Sequence, residues 1–263
     1  MGNMQSVPFN TLIFEIILEL YMERTLYFCG DIHGELKNLV FEIIKIKYKI
    51  ENADVLILGD FGVGFGGPNS MKVQYESVEK ELNKRDVTIY TISGNHDDPA
   101  WFDGEHDFER LKFLPSHQII ELCGKKIYPI GGAISVDIDK KLPGDKRSRR
   151  EENEYLKRVG SSKRVWWENE GCIQKMKDLP IRVDIIATHD APLSFEPIVT
   201  RGDDVTYETW EKILDNRKYL DHVLYEVKCS RWFYGHYHTS YSGHIGDMLY
   251  RCLGINEIFE IRV

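Results

Sequence analysis

"YFCGDIHGELKN", Tyr27 to Asn38, is the stretch from which the fold is read. An apolar, β-prone run, "RTLYFC" (Arg24–Cys29), stops at a glycine. Apolar residues then return at helical spacing across Glu35–Ile50, with Leu36, Val40, Ile43 and Ile44 on one stripe. A strand, a glycine turn and a helix in that order form the repeating unit of an α/β protein. The turn needs glycine, which Gly30 and Gly34 supply. It does not need Asp31 or His33, so these two side chains ask for partners elsewhere in the chain.

The same unit recurs downstream. "DVLILGD" (Asp54–Asp60) is a continuous apolar run followed by the glycine-rich "FGVGFGGP", and a charged helix over roughly Ser70–Lys84 leads to "DVTIYTISGNHDD" (Asp86–Asp98). "VDIIATHDAP" (Val183–Pro192) and "RWFYGHYHTS" (Arg231–Ser240) repeat the pattern. Further helices are expected over Trp166–Leu179 and Tyr207–Val227, and β-rich pieces over Gln118–Ser135 and Asp247–Val263. Continuous apolar strands alternating with helices predict an α/β domain with buried strands, and the hairpin-like later strands predict a mixed or second sheet. Residues 24–263 read as a single domain. Ahead of it, "LIFEIILELYM" (Leu12–Met22) carries Glu15 and Glu19, lacks a basic lead-in and is too short to span a bilayer. Residues 1–23 are therefore expected to be an amphipathic helical extension packed on the domain.

Bulk properties narrow the function. The chain has 263 residues, 42% apolar and 29% charged, as an ordinary soluble globular protein does. Its net charge of −8 disfavours general affinity for nucleic acid or an anionic membrane. Five scattered cysteines without a C-x-x-C pair fit the reduced thiols of a cytoplasmic protein. One stretch runs against the acidic balance: "DKKLPGDKRSRR" (Asp139–Arg150) is either a solvated loop or a surface that steers an anionic substrate.

Five apolar runs end in metal-type ligands: Asp31 and His33; Asp60; Asn95 with His96 and Asp97; His189; His236 and His238. In open α/β sheets ligands bind beyond the carboxyl ends of the strands, where every one of these clusters falls. The donors are oxygen and nitrogen without cysteine, which suits Mn²⁺, Fe, Zn²⁺ or a related ion. Asp-x-His and His-x-His each place two donors on one side of extended chain. Five such clusters at five strand ends are not independent accidents.

The motifs "GDIHG" (Gly30–Gly34), "GD" (Gly59–Asp60), "GNHD" (Gly94–Asp97), "THDAP" (Thr188–Pro192) and "GHYH" (Gly235–His238) give the chain its resemblance to the calcineurin-like metallophosphoesterases. They follow the family's order and span nearly the whole chain. The resemblance implies a four-layer α/β/β/α sandwich, with two mixed β-sheets flanked by helices, around two divalent metal ions. In that pattern Asp31, His33, Asp60 and His238 hold one metal, while Asp60, Asn95, His189 and His236 hold the other, with Asp60 bridging. Mn²⁺ is the expected ion, with Fe, Zn or Ni as alternatives.

Two cations roughly 3.5–4 Å apart lower the pKa of a bridging water and neutralise phosphoryl charge, so hydroxide can attack a phosphate ester near neutral pH. The resemblance makes His96 the general acid for the leaving alkoxide, with Asp97 orienting its imidazole as a hydrogen-bond acceptor. The chain departs from the serine/threonine phosphatase branch, whose second motif continues Gly-Asp-x-Val-Asp-Arg-Gly. Here it reads "GDFGVGFGG" (Gly59–Gly67), without that arginine, and Asp97 stands where that branch has glutamate. Both departures argue against protein phosphatase and dinucleoside tetraphosphate hydrolase activity. Gly62, Gly64, Gly66 and Gly67 are read instead either as a loop whose backbone N–H groups can approach an anion or as a flexible loop without that role. Arg147, in the basic stretch, is nominated to bind the substrate phosphate, because guanidinium matches phosphate oxygens in a bidentate way. Trp166 and Trp167 are read as a buried anchor or as a stacking platform for an aromatic group.

The expected function is a metal-dependent phosphoesterase acting on a small phosphorylated metabolite or nucleotide, with no specific nucleic-acid or membrane partner. The alternatives are a phosphodiesterase or nuclease, which the acidic charge disfavours, and an inactive scaffold that binds a protein partner. The last is disfavoured because the chain keeps every ligand and the acid.

Overall fold

β1 (Thr25–Cys29) lies inside a sheet, parallel to β2 (Ala53–Ile57) and antiparallel to β11 (Ile258–Ile261). The structure, a computed structural model, describes residues 24–65, 69–141, 146–161, 163–172 and 179–261. β3 (Val87–Thr91) and β4 (Leu111–Phe113) extend the first sheet in parallel, giving the order β11-β1-β2-β3-β4. All of β2 is buried, as a continuous apolar run requires when both faces of a sheet are covered.

The second sheet comprises β5 (Ile120–Leu122), β6 (Lys125–Ile130), β7 (Ile185–Thr188), β8 (Arg231–Tyr234), β9 (Tyr241–Ile245) and β10 (Met248–Cys252). Its order is β5-β6-β7-β8-β10-β9, parallel in the middle and antiparallel at both edges. The β-rich piece Gln118–Ser135 supplies the β5–β6 hairpin, whereas the piece Asp247–Val263 divides between the sheets, β10 pairing with β8 and β9 and β11 with β1.

The sheets pack face to face. Phe28 and Phe233 stack with ring centroids 4.3 Å apart, and Leu26, Leu56, Ile127 and Ile185 complete a buried layer between the sheets. On the outer face of the first sheet lie α1 (Leu36–Asn38), running on as a π-helical segment over Leu39–Lys47, then α2 (Ser70–Glu76) and α3 (Glu79–Arg85). Leu39, Val40, Ile44 and Leu82 share one buried cluster with Val55, Ile57 and Ile89 of that sheet. α5 (Tyr207–Glu226) covers the second sheet, with Leu220 and Val223 in one cluster with Ile186 and Trp232. Each large side chain buried in this way contributes roughly 1.5–3 kcal/mol. The result is the expected α/β/β/α sandwich.

Local structure departs from expectation in four places. The Glu35–Ile50 helix is mostly π-helical and ends with Tyr48 N–H on the Ile43 carbonyl at 3.0 Å. The expected Ser70–Lys84 helix breaks in two beside Ser77, whose hydroxyl donates to the Gln74 carbonyl at 2.6 Å. Residues 166–172 are not helical, because tertiary polar bonds take their groups: Glu170 accepts from Ser135, and Cys172 N–H donates to Asn216 Oδ1 at 2.7 Å. The basic stretch, read as a loop, ends in α4 (Arg149–Arg158), opened by a capping box between Ser148 and Glu151. The S-x-x-E spacing that announces this helix is visible in the sequence.

The N-terminal extension, 1–23, lies outside the described residues. All five cysteines are free thiols. Among the described residues no helix is long and apolar enough to cross a membrane.

Candidate metal centre

The carboxyl ends of β1, β2 and β3 in one sheet and of β7 and β8 in the other meet at the same edge of the sandwich. One donor atom from each of Asp31, His33, Asp60 and His238 lies within 4.8 Å of the others, and the same holds for Asp60, His189 and His236. Asp60 belongs to both groups. Asn95 joins the second, its Oδ1 lying 3.0 Å from His189 Nε2. All seven sequence-predicted ligands are therefore brought together from five strand ends. The Nε2 atoms of His33 and His238 face each other at 2.9 Å, and His238 Nε2 is 3.2 Å from Asp31 Oδ2. Two imidazole nitrogens thus converge beside a buried carboxylate, and this oxygen and nitrogen donor set fits a divalent ion of the Mn²⁺, Fe or Zn²⁺ kind.

The backbone bends sharply to present these donors. His33, Asp60, His236 and His238 have φ of 45°, 50°, 68° and 53°, the left-handed region that non-glycine residues seldom enter. Such conformations cost of order 1–3 kcal/mol each and collect at functional sites. A Cβ on Gly94 would run into Asp60, and one on Gly235 into the Asp31 carboxylate, so both neighbours must be glycine. His189 is fixed by its Nδ1–H, which donates to the Leu58 carbonyl at 2.7 Å and leaves Nε2 facing Asp60 and Asn95. Burial pushes the His189 pKa down, but the Asp60 carboxylate overrides it and raises it to about 10. Burial pushes Asp60 up in turn, and the neighbouring imidazoles, His189 foremost, hold it well below the usual carboxylate range.

The sequence profile described as calcineurin-like phosphoesterase matches residues 24–240. The chain belongs to this family. Membership makes it a hydrolase of phosphate esters that works with bound metal ions. No curated protein matches it in sequence. Among solved structures it is similar to a phosphopantetheinyl hydrolase from Mycobacterium tuberculosis, at 12% identity over 89% of this chain and 91% of that one, with a TM-score of 0.41.

Within this phosphoesterase, Asp97 does something other than orient His96. Its buried carboxylate accepts four backbone N–H groups, from Phe61, Gly62, Val63 and Gly94, at 2.6–3.0 Å. The anion cradled by the glycine loop is thus the protein's own Asp97, which ties the second motif to the third. Gly66 and Gly67 lie outside the described residues. His96 takes a different partner. Its backbone N–H donates to Asp60 Oδ1 at 2.8 Å, and its ring Nδ1 lies 3.2 Å from Arg149 Nη1. A guanidinium can only donate, so Nδ1 accepts and the ring proton sits on Nε2. Burial lowers the His96 pKa; Asp60 opposes this and Arg149 adds to it.

Arg147, the expected phosphate ligand, is not at the centre: it pairs with Glu152 at 2.7 Å and lies over the Tyr155 ring. Arg149 reaches the site instead, anchored by Asp137 at 2.9 Å. The two differ because helix α4 starts at Arg149, which turns the pair in different directions. Trp166 and Trp167 are buried, as an anchor is; Trp167 meets the edge of Phe65 at 4.8 Å.

Sequence reasoning missed one further pair. Glu170 accepts from Ser135 N–H at 2.7 Å and from its hydroxyl at 2.8 Å, and Ser135 Oγ accepts from Asn95 Nδ2 at 2.9 Å. This chain fixes which end of the Asn95 amide faces His189. Burial pushes the Glu170 carboxyl up to about 7.

Proposed function

We propose that this phosphoesterase holds two divalent cations, Mn²⁺ foremost, on the seven residues named above and hydrolyses a small phosphorylated metabolite or nucleotide. The supporting observation is that two groups of donors share the single carboxylate of Asp60. A pair of cations bound there would lower the pKa of a water and neutralise charge on the phosphoryl oxygens. The chain's own residues do the rest. Asp60 and Asp31 set the negative field that retains the metals, and His189 is held by Leu58 in the tautomer a ligand needs. Arg149, braced by Asp137, offers its remaining N–H donors to a phosphoryl oxygen. As the water oxygen bonds to phosphorus and the ester P–O bond breaks, a proton of that water ends on the leaving alkoxide. The neutral His96 ring, which would become imidazolate if it released its proton, keeps it and donates Nε2–H as a hydrogen bond to the developing oxyanion, a contribution typically worth about 10²–10³ in rate.

The test compares His96→Ala and Asp60→Asn with the parent, measuring metal content alongside turnover of p-nitrophenyl phosphate and bis-p-nitrophenyl phosphate with Mn²⁺. His96→Ala is expected to keep its metals and lose roughly two to three decades of turnover. Asp60→Asn is expected to lose at least one metal. Full metal content and activity in Asp60→Asn would refute the shared-carboxylate reading, and the two substrates separate a monoesterase from a diesterase.

A further inference from the structure

Beside the metal ligands lies a cavity of about 330 Å³ that shares Asp60, Asn95, His96, His236 and His238 with the centre. Four aliphatic side chains also line it: Ile134, Val136, Val199 and Ile213. Two carboxylates do so too, Asp190 engaged through both oxygens and Asp137 through one. Asp137 pairs with Arg149 at 2.9 Å. Asp190 accepts from Asn216 Nδ2 at 2.7 Å, from the Tyr237 hydroxyl at 2.5 Å and from Ala191 N–H at 2.7 Å. The Tyr237 hydroxyl spends its proton on that bond. Among the described residues, then, one oxygen of these two carboxylates, Asp137 Oδ1, is left without a hydrogen bond to receive a substrate hydroxyl, while the aliphatic side chains offer no acceptor.

Size points the same way. Ligand sites run from roughly 300 to 1,000 Å³, so this cavity is at the small end and takes a phosphoryl group with a short appendage. Val136 at its rim is 48% exposed, an aliphatic side chain left against water that a bound apolar group would cover.

Resting on the phosphoesterase reading above, we infer that the substrate is a phosphate ester of a compact, apolar alcohol whose carbon chain lies against Val136, Val199 and Ile213. The phosphoryl group sits at the metal end beside His96 and Arg149. A polyol or sugar phosphate is disfavoured, because hydroxyls facing the aliphatic side chains would lose water without gaining partners.

The experiment measures kcat/KM on Mn²⁺-loaded protein for ethyl, propyl and butyl phosphate and for glycerol phosphate, each as the monoester and as the methyl diester. Ethyl to butyl keeps the leaving group's chemistry nearly constant while adding buried methylenes. Each methylene is expected to raise kcat/KM roughly fourfold, and glycerol phosphate to fall below propyl phosphate. Val136→Asn is expected to flatten the series. Turnover that is level from ethyl to butyl, or highest for glycerol phosphate, would overturn the inference while leaving the phosphoesterase reading intact. Absence of turnover for every compound, on protein shown to hold its metals, would overturn both.

Discussion

Removing the Ser135 hydroxyl isolates one link in the support of the centre. In Ser135→Ala, Asn95 Nδ2 loses the acceptor it reaches at 2.9 Å and Glu170 loses the hydroxyl donor at 2.8 Å, while the backbone N–H of residue 135 stays. Asn95 is only 4% exposed, so water does not readily replace the lost partner. A buried unsatisfied donor costs about 1–3 kcal/mol. The amide can avoid that cost by flipping, but it then turns N–H toward His189 and the cation. Either route weakens the metal group containing Asn95, by roughly tenfold to a hundredfold, as removal of a partner behind a metal ligand generally does. The group of Asp31, His33, Asp60 and His238 has no bond to Ser135 and should change little. Calorimetric titration of stripped protein with Mn²⁺ reads the two affinities separately, with a thermal melt to check folding, and Ser135→Thr should restore the parent's behaviour. Equal weakening of both affinities, or of neither, would show that Ser135 does not act through Asn95.

Other perturbations test the remaining structure. Arg149→Ala should lower kcat/KM by about 10- to 100-fold and weaken inhibition by inorganic phosphate, since a charge-assisted hydrogen bond is worth roughly 1.5–3 kcal/mol; Arg147→Ala should change both by less than about twofold. Burial raises Glu170 from 4.5 to about 7, so between those values the folded protein keeps a proton that the unfolded chain releases. Its stabilising contribution is therefore complete below pH 4.5 and lost as pH rises through about 7, with an upper size of about 3 kcal/mol. Urea midpoints at pH 5 and 7.5 should show that fall in the parent and a smaller one in Glu170→Gln; equal falls would refute the assignment. Phe233→Ala removes a fully buried ring stacked on Phe28 and should cost roughly 3–5 kcal/mol, read as a lower urea midpoint; a loss under about 1 kcal/mol would mean that the layer between the sheets repacks.

The α/β pattern and the candidate metal-ligand cluster were legible because both are local signals. A buried strand announces itself over a handful of consecutive apolar residues, and each ligand or ligand pair directly follows one, beside a glycine that the close approach demands, as Gly94 does at Asp60 and Gly235 at Asp31. Helix α4 was legible in principle through Ser148 and Glu151 but was hidden inside a run of basic residues.

What a side chain does once there was not legible in the same way. Asp97 lies next to His96 in the chain, yet its carboxylate turns away to collect the backbone of residues 61–63, because four N–H groups outbid a single imidazole. Ser135 and Glu170, 35 residues apart, meet only after the chain between them has folded back. Residue order by itself determined that seven donors end five strands and that those strands alternate with helices. Which of two arginines two positions apart reaches His96, and what the cavity beside it will accept, were decided only when the two sheets closed, since hydrogen-bond partners are chosen by distance in space and periodicity carries no record of that.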